Sequence, residues 1–215
     1  MHRIIFTGAQ GTGKTTVLNT FKEYYGINTI TEVVRNLSKN GVKINKDGDE
    51  SGQAKIFKEY EKLLSATTKD GYLSDRGLFD VVAYTMYLNR IGKVSDKFLD
   101  GQLKKLNKFL KTNSDITYCY FPIEFDLVDD GVRDMDVEFQ KEIDSNIQRL
   151  LEASGVNVVW VFGTVERRIK TVAALYDWLS TGFSLFTMRP TDPPLPRFSE
   201  EVKEEMPTDD TNTPL

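Results

Sequence analysis

Gly8-Ala9-Gln10-Gly11-Thr12-Gly13-Lys14-Thr15 is the stretch that decides the fold of this chain. Glycines at positions 8, 11 and 13 let the backbone curl until successive N–H groups face one point, and a helix starting behind them aims its positive end at the same point. That cradle suits a phosphate: Lys14 reaches the β and γ phosphates as a point charge, and the Thr15 hydroxyl completes a Mg²⁺ shell. The motif carries meaning only between a strand and a helix. Arg3 to Thr7 is a β-branched and aromatic run ending at glycine, and Val17, Leu18, Phe21 and Tyr25 follow at helical spacing up to Gly26. Gly8, Ala9, Gln10, Gly11, Thr12, Gly13, Lys14, Thr15 and Thr16 are therefore expected to hold ATP or another nucleoside triphosphate together with Mg²⁺.

Working outward, Asn28 to Thr31 reads as a short strand, followed by a helix from Val33 that Asn40-Gly41 breaks. Lys43 to Gly52 reads as a polar loop, and Ile56, Phe57, Tyr60, Leu63 and Leu64 mark an amphipathic helix. Tyr72 to Ser74 is a strand ending at Asp75. Helices follow over Leu78 to Arg90 and along a stripe of Leu99, Leu103, Leu106 and Leu110. Ile116 to Phe121 is a further strand closed by Pro122, and Phe139, Ile143, Ile147 and Leu150 mark another helix. Asn157 to Phe162 is a nearly continuous apolar run, suited to a strand covered on both faces, and Val165, Ile169, Val172 and Leu175 form a closing helix. This alternation implies an α/β fold with a parallel sheet covered by helices on both faces.

At 215 residues the chain suits one generous α/β domain. The expected division is a P-loop domain over residues 1–186, with a lid at about 123–137, and a Pro-rich acidic tail over 187–215 that is disordered. From Thr187 onward seven acids stand against Arg189, Arg197 and Lys203, which accounts for the whole net charge of −4 and leaves the body neutral. A neutral body does not advertise the broad basic face of a non-specific nucleic-acid binder. No apolar stretch has membrane length, and Met1-His2-Arg3 runs straight into a strand without room for a signal peptide, so a cytoplasmic location is expected. Cys119, the single cysteine, lies in an apolar run and reads as a core residue; His2, the single histidine, lies at the terminus, which argues against a histidine triad or a zinc site. The chemistry must then rest on Asp, Glu, Lys and Arg.

Asp75 and Arg76 emerge together at the carboxyl edge of the sheet, where open α/β sheets bind ligands. Asp75 is placed to hold the Mg²⁺ shell or accept a hydroxyl proton and Arg76 to clamp a phosphate, the alternative being that Asp75 caps the helix from Leu78. Glu32 also ends a strand, with Arg35 one turn later; the two either face a substrate or form a solvated ion pair. Asp129-Asp130-Gly131-Val132-Arg133-Asp134 is placed like a lid that brings Arg133 to the phosphates, or is a plain polar loop. Arg167 and Arg168 are weaker candidates, readable as the wet face of the last helix.

Together with the loop, Glu32-Val33-Val34-Arg35, Ser74-Asp75-Arg76-Gly77-Leu78-Phe79-Asp80-Val81-Val82-Ala83-Tyr84, Asp130-Gly131-Val132-Arg133 and Phe162-Gly163-Thr164-Val165-Glu166-Arg167-Arg168 resemble small P-loop kinases in kind and order. The pattern is similar to the AAA-type ATPase/kinase group that includes the ribosylnicotinamide kinase domain of NadR-like proteins and many bacteriophage proteins. More distantly it is similar to deoxynucleoside and thymidylate kinases. The resemblance spans about Arg3 to Leu175 and implies a P-loop NTPase fold with a five-stranded parallel sheet of order 2-3-1-4-5. It also implies Glu32 and Asp75 as candidates for the substrate hydroxyl or Mg²⁺, and Arg35, Arg76 and Arg133 as clamps. Gly77 departs from it, since related kinases often carry serine there.

These readings point to an ATP- and Mg²⁺-dependent phosphotransferase with Lys14, Asp75, Glu32, Arg76 and Arg133 as catalytic residues. Thr15 and Asp75 would serve the metal, and Glu32, Arg35 and Arg76 a small nucleoside, nucleotide or ribosyl acceptor. For a phage-encoded chain the location would be the host cytoplasm. Two other readings remain open at this point: an ATP-binding switch whose nucleotide state a partner reads, and a kinase of nucleic-acid ends or modified bases.

Overall fold

The computed structural model describes residues 2–66, 71–126 and 136–181. Chain contacts divide the molecule into Met1–Phe183 and Ser184–Leu215, and the second unit lies outside the described residues.

Five strands, β1 (Arg3–Thr7), β2 (Thr29–Ile30), β3 (Tyr72–Asp75), β4 (Thr117–Tyr120) and β5 (Val158–Trp160), form one sheet of order β2-β3-β1-β4-β5. Every pairing is parallel. The helices are α1 (Lys14–Tyr25), α2 (Val33–Lys39), α3 (Glu50–Ser65), α4 (Leu78–Arg90), α5 (Asp96–Thr112), α6 (Val137–Ser154) and α7 (Val165–Thr181). Parallel strands need such crossovers, and this is the P-loop NTPase fold that the motif demands.

Alternation along β1 sorts its side chains between two layers. Ile5 joins the large cluster built from α3, α4, α5 and α6, while Ile4 and Phe6, equally buried, face the other side of the sheet, where α1 and α7 pack together. Cys119 sits on that second side in β4, opposite Phe6 in the register, with no exposed surface; burial alone pushes its thiol well above the ordinary range. Capping fixes the helix starts. The side chain of Asp49 accepts from the Gly52 amide at α3, Ser95 from Phe98 at α5, and Asp136 from Glu138 and Phe139 at α6.

Four details depart from the sequence reading. The supposed loop from Lys43 to Gly52 contains a short 3₁₀ turn, Asn45–Asp47, and the start of α3. The face that α5 buries is centred on Gln102, Leu106 and Phe109, with Leu99, Leu103 and Leu110 only flanking it. β5 is an edge strand covered incompletely, leaving Trp160 and Phe162 exposed, because sheet order and not composition places it at the rim. Finally, α7 runs on to Thr181, past Leu175, the last apolar position of the expected closing helix. Among the described residues no helix is long and apolar enough to cross a membrane.

Candidate active site

The loop between β1 and α1 is built on glycine. Gly8, Gly11 and Gly13 have φ of 147°, 77° and 81°, conformations that other residues adopt only under strain. At Gly8 space is decisive as well, since a Cβ would stand 2.4 Å from the Phe121 carbonyl oxygen. Lys14 is buried and folds along the loop, donating from Nζ to the Gly8 and Ala9 carbonyls at 2.8 and 2.6 Å and to Thr12 Oγ1 at 2.9 Å.

The end of β3 meets this loop. Thr15 Oγ1 donates to Asp75 Oδ2 at 2.7 Å, while Asp75 Oδ1 is buried without a hydrogen-bond partner. Tyr60 donates to the Asp75 carbonyl at 3.2 Å. Asp75 caps no helix: the N-cap of α4 is Gly77, whose amide donates to Asp80 Oδ2 at 3.1 Å. Gly77 is extended, with φ of −157°, so packing and not strain explains the glycine. A Cβ there would stand 2.7 Å from Ile5 Cγ2, and the serine of related kinases would crowd the central strand.

Arg76 turns back into the site at φ 77°. Its Nη1 donates to Asp80 Oδ1 at 3.1 Å and to the Gly8 carbonyl at 3.3 Å, and its guanidinium lies 5.8 Å from the Tyr84 ring centre. Burial disfavours its charge, but Tyr84, Asp80, Asp75 and Tyr60 outweigh that and raise its pKa, so Arg76 is a fixed cation. Burial pushes the Asp80 carboxyl up, against the pull of Arg76, Lys14 and the Gly77 amide. We read the pair as ionised, because a neutral Asp80 would leave Arg76 buried beside no counter-charge.

One cavity takes in these groups and extends beyond them to α2, α3 and α4. Its phosphate end is lined by Gln10 to Thr16, and its other end by Glu32 to Arg35 with Ile44, Asn45, Gln53, Ile56, Val81 and Tyr84; Asp75, Arg76 and Asp80 bond to the loop and also line it. Glu32 and Arg35 pair at 3.3 Å, both about half exposed, as the ion-pair alternative expects, and both also line the cavity. Glu32, Asn45 and Arg76 are the non-glycine residues with positive φ among the described residues, and all line the cavity. Backbone strain of this kind, on the order of 1–3 kcal/mol each, concentrates at functional sites.

Arg133 and most of the expected lid lie outside the described residues. Arg168 corrects the sequence reading. It is completely buried, with Nε donating to the Gly163 carbonyl at 2.9 Å, Nη1 to the Thr12 carbonyl and Nη2 to Glu124. Arg167 does face water, and its guanidinium lies 4.5 Å from the Phe162 ring centre.

Sequence reasoning also passed over Asp80, Gln53 and the side chain of Gln10. Asp80 lies four residues after Arg76, an ion-pair spacing, and Gln53 sits in the apolar stripe of α3 with Ile56, Phe57 and Tyr60. The Gln10 side chain accepts from Tyr84 at 3.1 Å through Oε1, leaves Nε2 buried without a partner, and carried no signal in sequence. Behind the loop, α6 supplies Gln140, which donates to the Gln10 carbonyl at 2.6 Å, and Asp144, which accepts from Tyr120 and from Gln148, each at 2.8 Å.

The sheet order, the glycine loop and Asp75 against Thr15 define a P-loop NTPase fold. The AAA domain family profile matches residues 3–168, and the chain belongs to that family. No curated sequence matches it significantly. Among solved structures it is similar to the NadR protein in complex with NR, at TM-score 0.63 and 18% identity over 87% of this chain and 54% of that one. It thus spans about half the NadR chain. It is also similar to deoxyadenosine kinase from M. mycoides with dCMP and dCDP, at TM-score 0.58 and 12% identity over 82% of this chain and 99% of that one. A third is the YorR protein from Bacillus subtilis in complex with phosphorylated GDP, at TM-score 0.53 and 14% identity, covering 82% and 96%. At these identities the likeness establishes the fold.

Proposed function

We propose that this protein transfers the γ-phosphoryl group of ATP, with Mg²⁺, to a hydroxyl of a small nucleoside, nucleotide or ribosyl acceptor. One observation carries the reading: the cavity at the phosphate loop extends past Asp75 and Arg76 to the polar side chains of Glu32, Arg35, Asn45 and Gln53. A switch that only binds and hydrolyses nucleotide has no use for a cavity that reaches so far beyond the phosphate loop. The solved neighbours support the acceptor class, since their ligands are NR, dCMP and dCDP, and a phosphorylated GDP.

Lys14 and the loop amides hold the triphosphate. Thr15 and Asp75 fit Mg²⁺, because Asp75 already accepts from Thr15 through one oxygen and keeps the other buried without a partner. Mg²⁺ typically takes one or two carboxylates and completes its shell with water and phosphate oxygens, so a single carboxylate beside the phosphate loop suits it. When bound, the ion neutralises phosphate charge. With Asp75 committed to Thr15, Glu32 is the carboxylate that takes the proton from the acceptor hydroxyl as its oxygen bonds to phosphorus and ADP leaves. Arg76, and Arg133 from the lid, offset the charge of the transferring group, and Arg35 orients the acceptor. Gln53, a buried amide that lines the cavity, would contact its base. Positioning and electrostatics then do the work that phosphoryl transfer requires.

The test is to incubate the chain with Mg²⁺, γ-labelled ATP and a panel of nucleosides, deoxynucleoside monophosphates, ribosyl compounds and oligonucleotides. Label moving onto one small-molecule class is the expected result, and Lys14→Ala abolishes it while the protein still folds. Label appearing only as free phosphate with every acceptor refutes the transferase reading and favours the switch. Label on oligonucleotides alone moves the acceptor to nucleic acid.

A further inference from the structure

A cation lies sealed beneath the phosphate loop. The side chain of Arg168 comes from α7 and has no exposed surface. Its three nitrogens are all engaged, on the carbonyls of Gly163 and Thr12 and on the carboxylate of Glu124, and the Phe121 and Phe125 ring centres stand 5.7 and 4.7 Å from the guanidinium carbon. Glu124 also accepts the Gly163 amide at 2.7 Å, tying the end of β4 to the end of β5. A Cβ on Gly13 would stand 3.1 Å from Arg168 Nη1, so the guanidinium uses the space that glycine leaves in the loop.

The Thr12 carbonyl belongs to the same peptide unit as the Gly13 N–H, one of the amides with which a loop of this kind holds phosphate. In a planar trans peptide the C=O and N–H bonds point opposite ways and their dipoles add. A charged donor on the carbonyl side therefore fixes which way the N–H faces, and it polarises the unit so that the N–H becomes a stronger donor. We infer that Arg168 is a positioning residue for the nucleotide site, which orients and polarises the Thr12–Gly13 peptide toward the triphosphate, and that Glu124 sets how much of its positive charge the site feels. The inference rests on the nucleotide-binding half of the proposed function and is independent of the acceptor.

A brace and a polarising cation respond differently to loss of the counter-charge. Glu124→Gln keeps a carbonyl oxygen for both Arg168 and Gly163 and removes only the negative charge. Calorimetric titration of the full chain with ADP and with the non-hydrolysable analogue AMP-PNP, alongside melting temperatures, separates the two. Arg168→Met should weaken both ligands about 10- to 100-fold, the usual reach of a charge-assisted hydrogen bond, and Arg168→Lys should recover part of the loss. Glu124→Gln should act in the opposite sense and tighten both several-fold, although its melting temperature falls. If Arg168→Met fails to fold, Arg168→Lys and Glu124→Gln still decide. Wild-type protein that binds both ligands, with Glu124→Gln no tighter than wild type, overturns the assignment alone. Wild-type protein that binds neither overturns the nucleotide reading and the assignment with it.

Discussion

The two sides of the phosphate loop treat their buried polar atoms in opposite ways. Toward β3, Asp75 Oδ1 and Gln10 Nε2 are buried and have no hydrogen-bond partner. Toward β5, every nitrogen of the equally buried Arg168 is matched by an oxygen. A buried polar group without a partner costs about 1–3 kcal/mol, which a folded protein tolerates where something else completes the bond. The positive-φ residues Glu32, Asn45 and Arg76 line the cavity on the unsatisfied side as well. One flank therefore leaves polar atoms open for a ligand, and on the other the buried guanidinium is already satisfied within the protein.

The sharpest way to break this contrast is Asp75→Asn. If its second oxygen awaits a metal, transfer should drop on the order of 10²- to 10³-fold at saturating ATP while the melting temperature holds or rises. Unchanged turnover would return Asp75 to the scaffold. Asp80→Asn attacks the same flank through stability. It strips Arg76 of its carboxylate and should cost about 3 kcal/mol in urea unfolding, more than the loss of any exposed ion pair such as Arg90 with Glu142.

Gly77→Ser should cost about 1–3 kcal/mol through its clash with Ile5, and the same change made in an Ile5→Ala background, which lacks the clashing Cγ2 methyl, should cost less. An equal cost in both backgrounds would show that the glycine serves something other than packing. The smallest effect is expected at Asp49→Ala, about 1 kcal/mol for the lost cap of α3. The Gly52 amide lowers the Asp49 pKa, with Lys43 adding to it. That contribution is present above the ordinary carboxylate pKa and is lost as pH falls through the lowered value. The gap between wild type and variant should thus close on acidification, which thermal melts across the acid range will check.

The same contrast explains what could be read in advance. Strand boundaries, the loop and the placement of Asp75 were legible because fixed spacing and strand-to-helix order determine them locally. The sheet order came through family likeness. Arg168 was misjudged because its partners, Thr12 and Glu124, are distant in sequence, and only the fold brings them together. Its three-residue spacing from Val165 was a faint clue, weakened by the exposure of Val165 itself. Asp80 was overlooked for a related reason: an acid in the first turn of a helix looks like ordinary capping, and it is that, yet the same carboxylate neutralises Arg76. The apolar run of β5 suggested a strand covered on both faces, since composition records hydrophobicity and not how completely an edge strand is covered.

Cys119 turns the central sheet into its own reporter. It is the single thiol of the chain, fully enclosed in β4, and the burial that raises its pKa keeps it in its unreactive form. A thiol reagent reaches it only when the sheet opens, so labelling rates count openings without any engineered probe. Because β4 lies beside β1, the strand that feeds the phosphate loop, slower labelling in the presence of nucleotide would measure in time what occupancy of that loop contributes to the sheet.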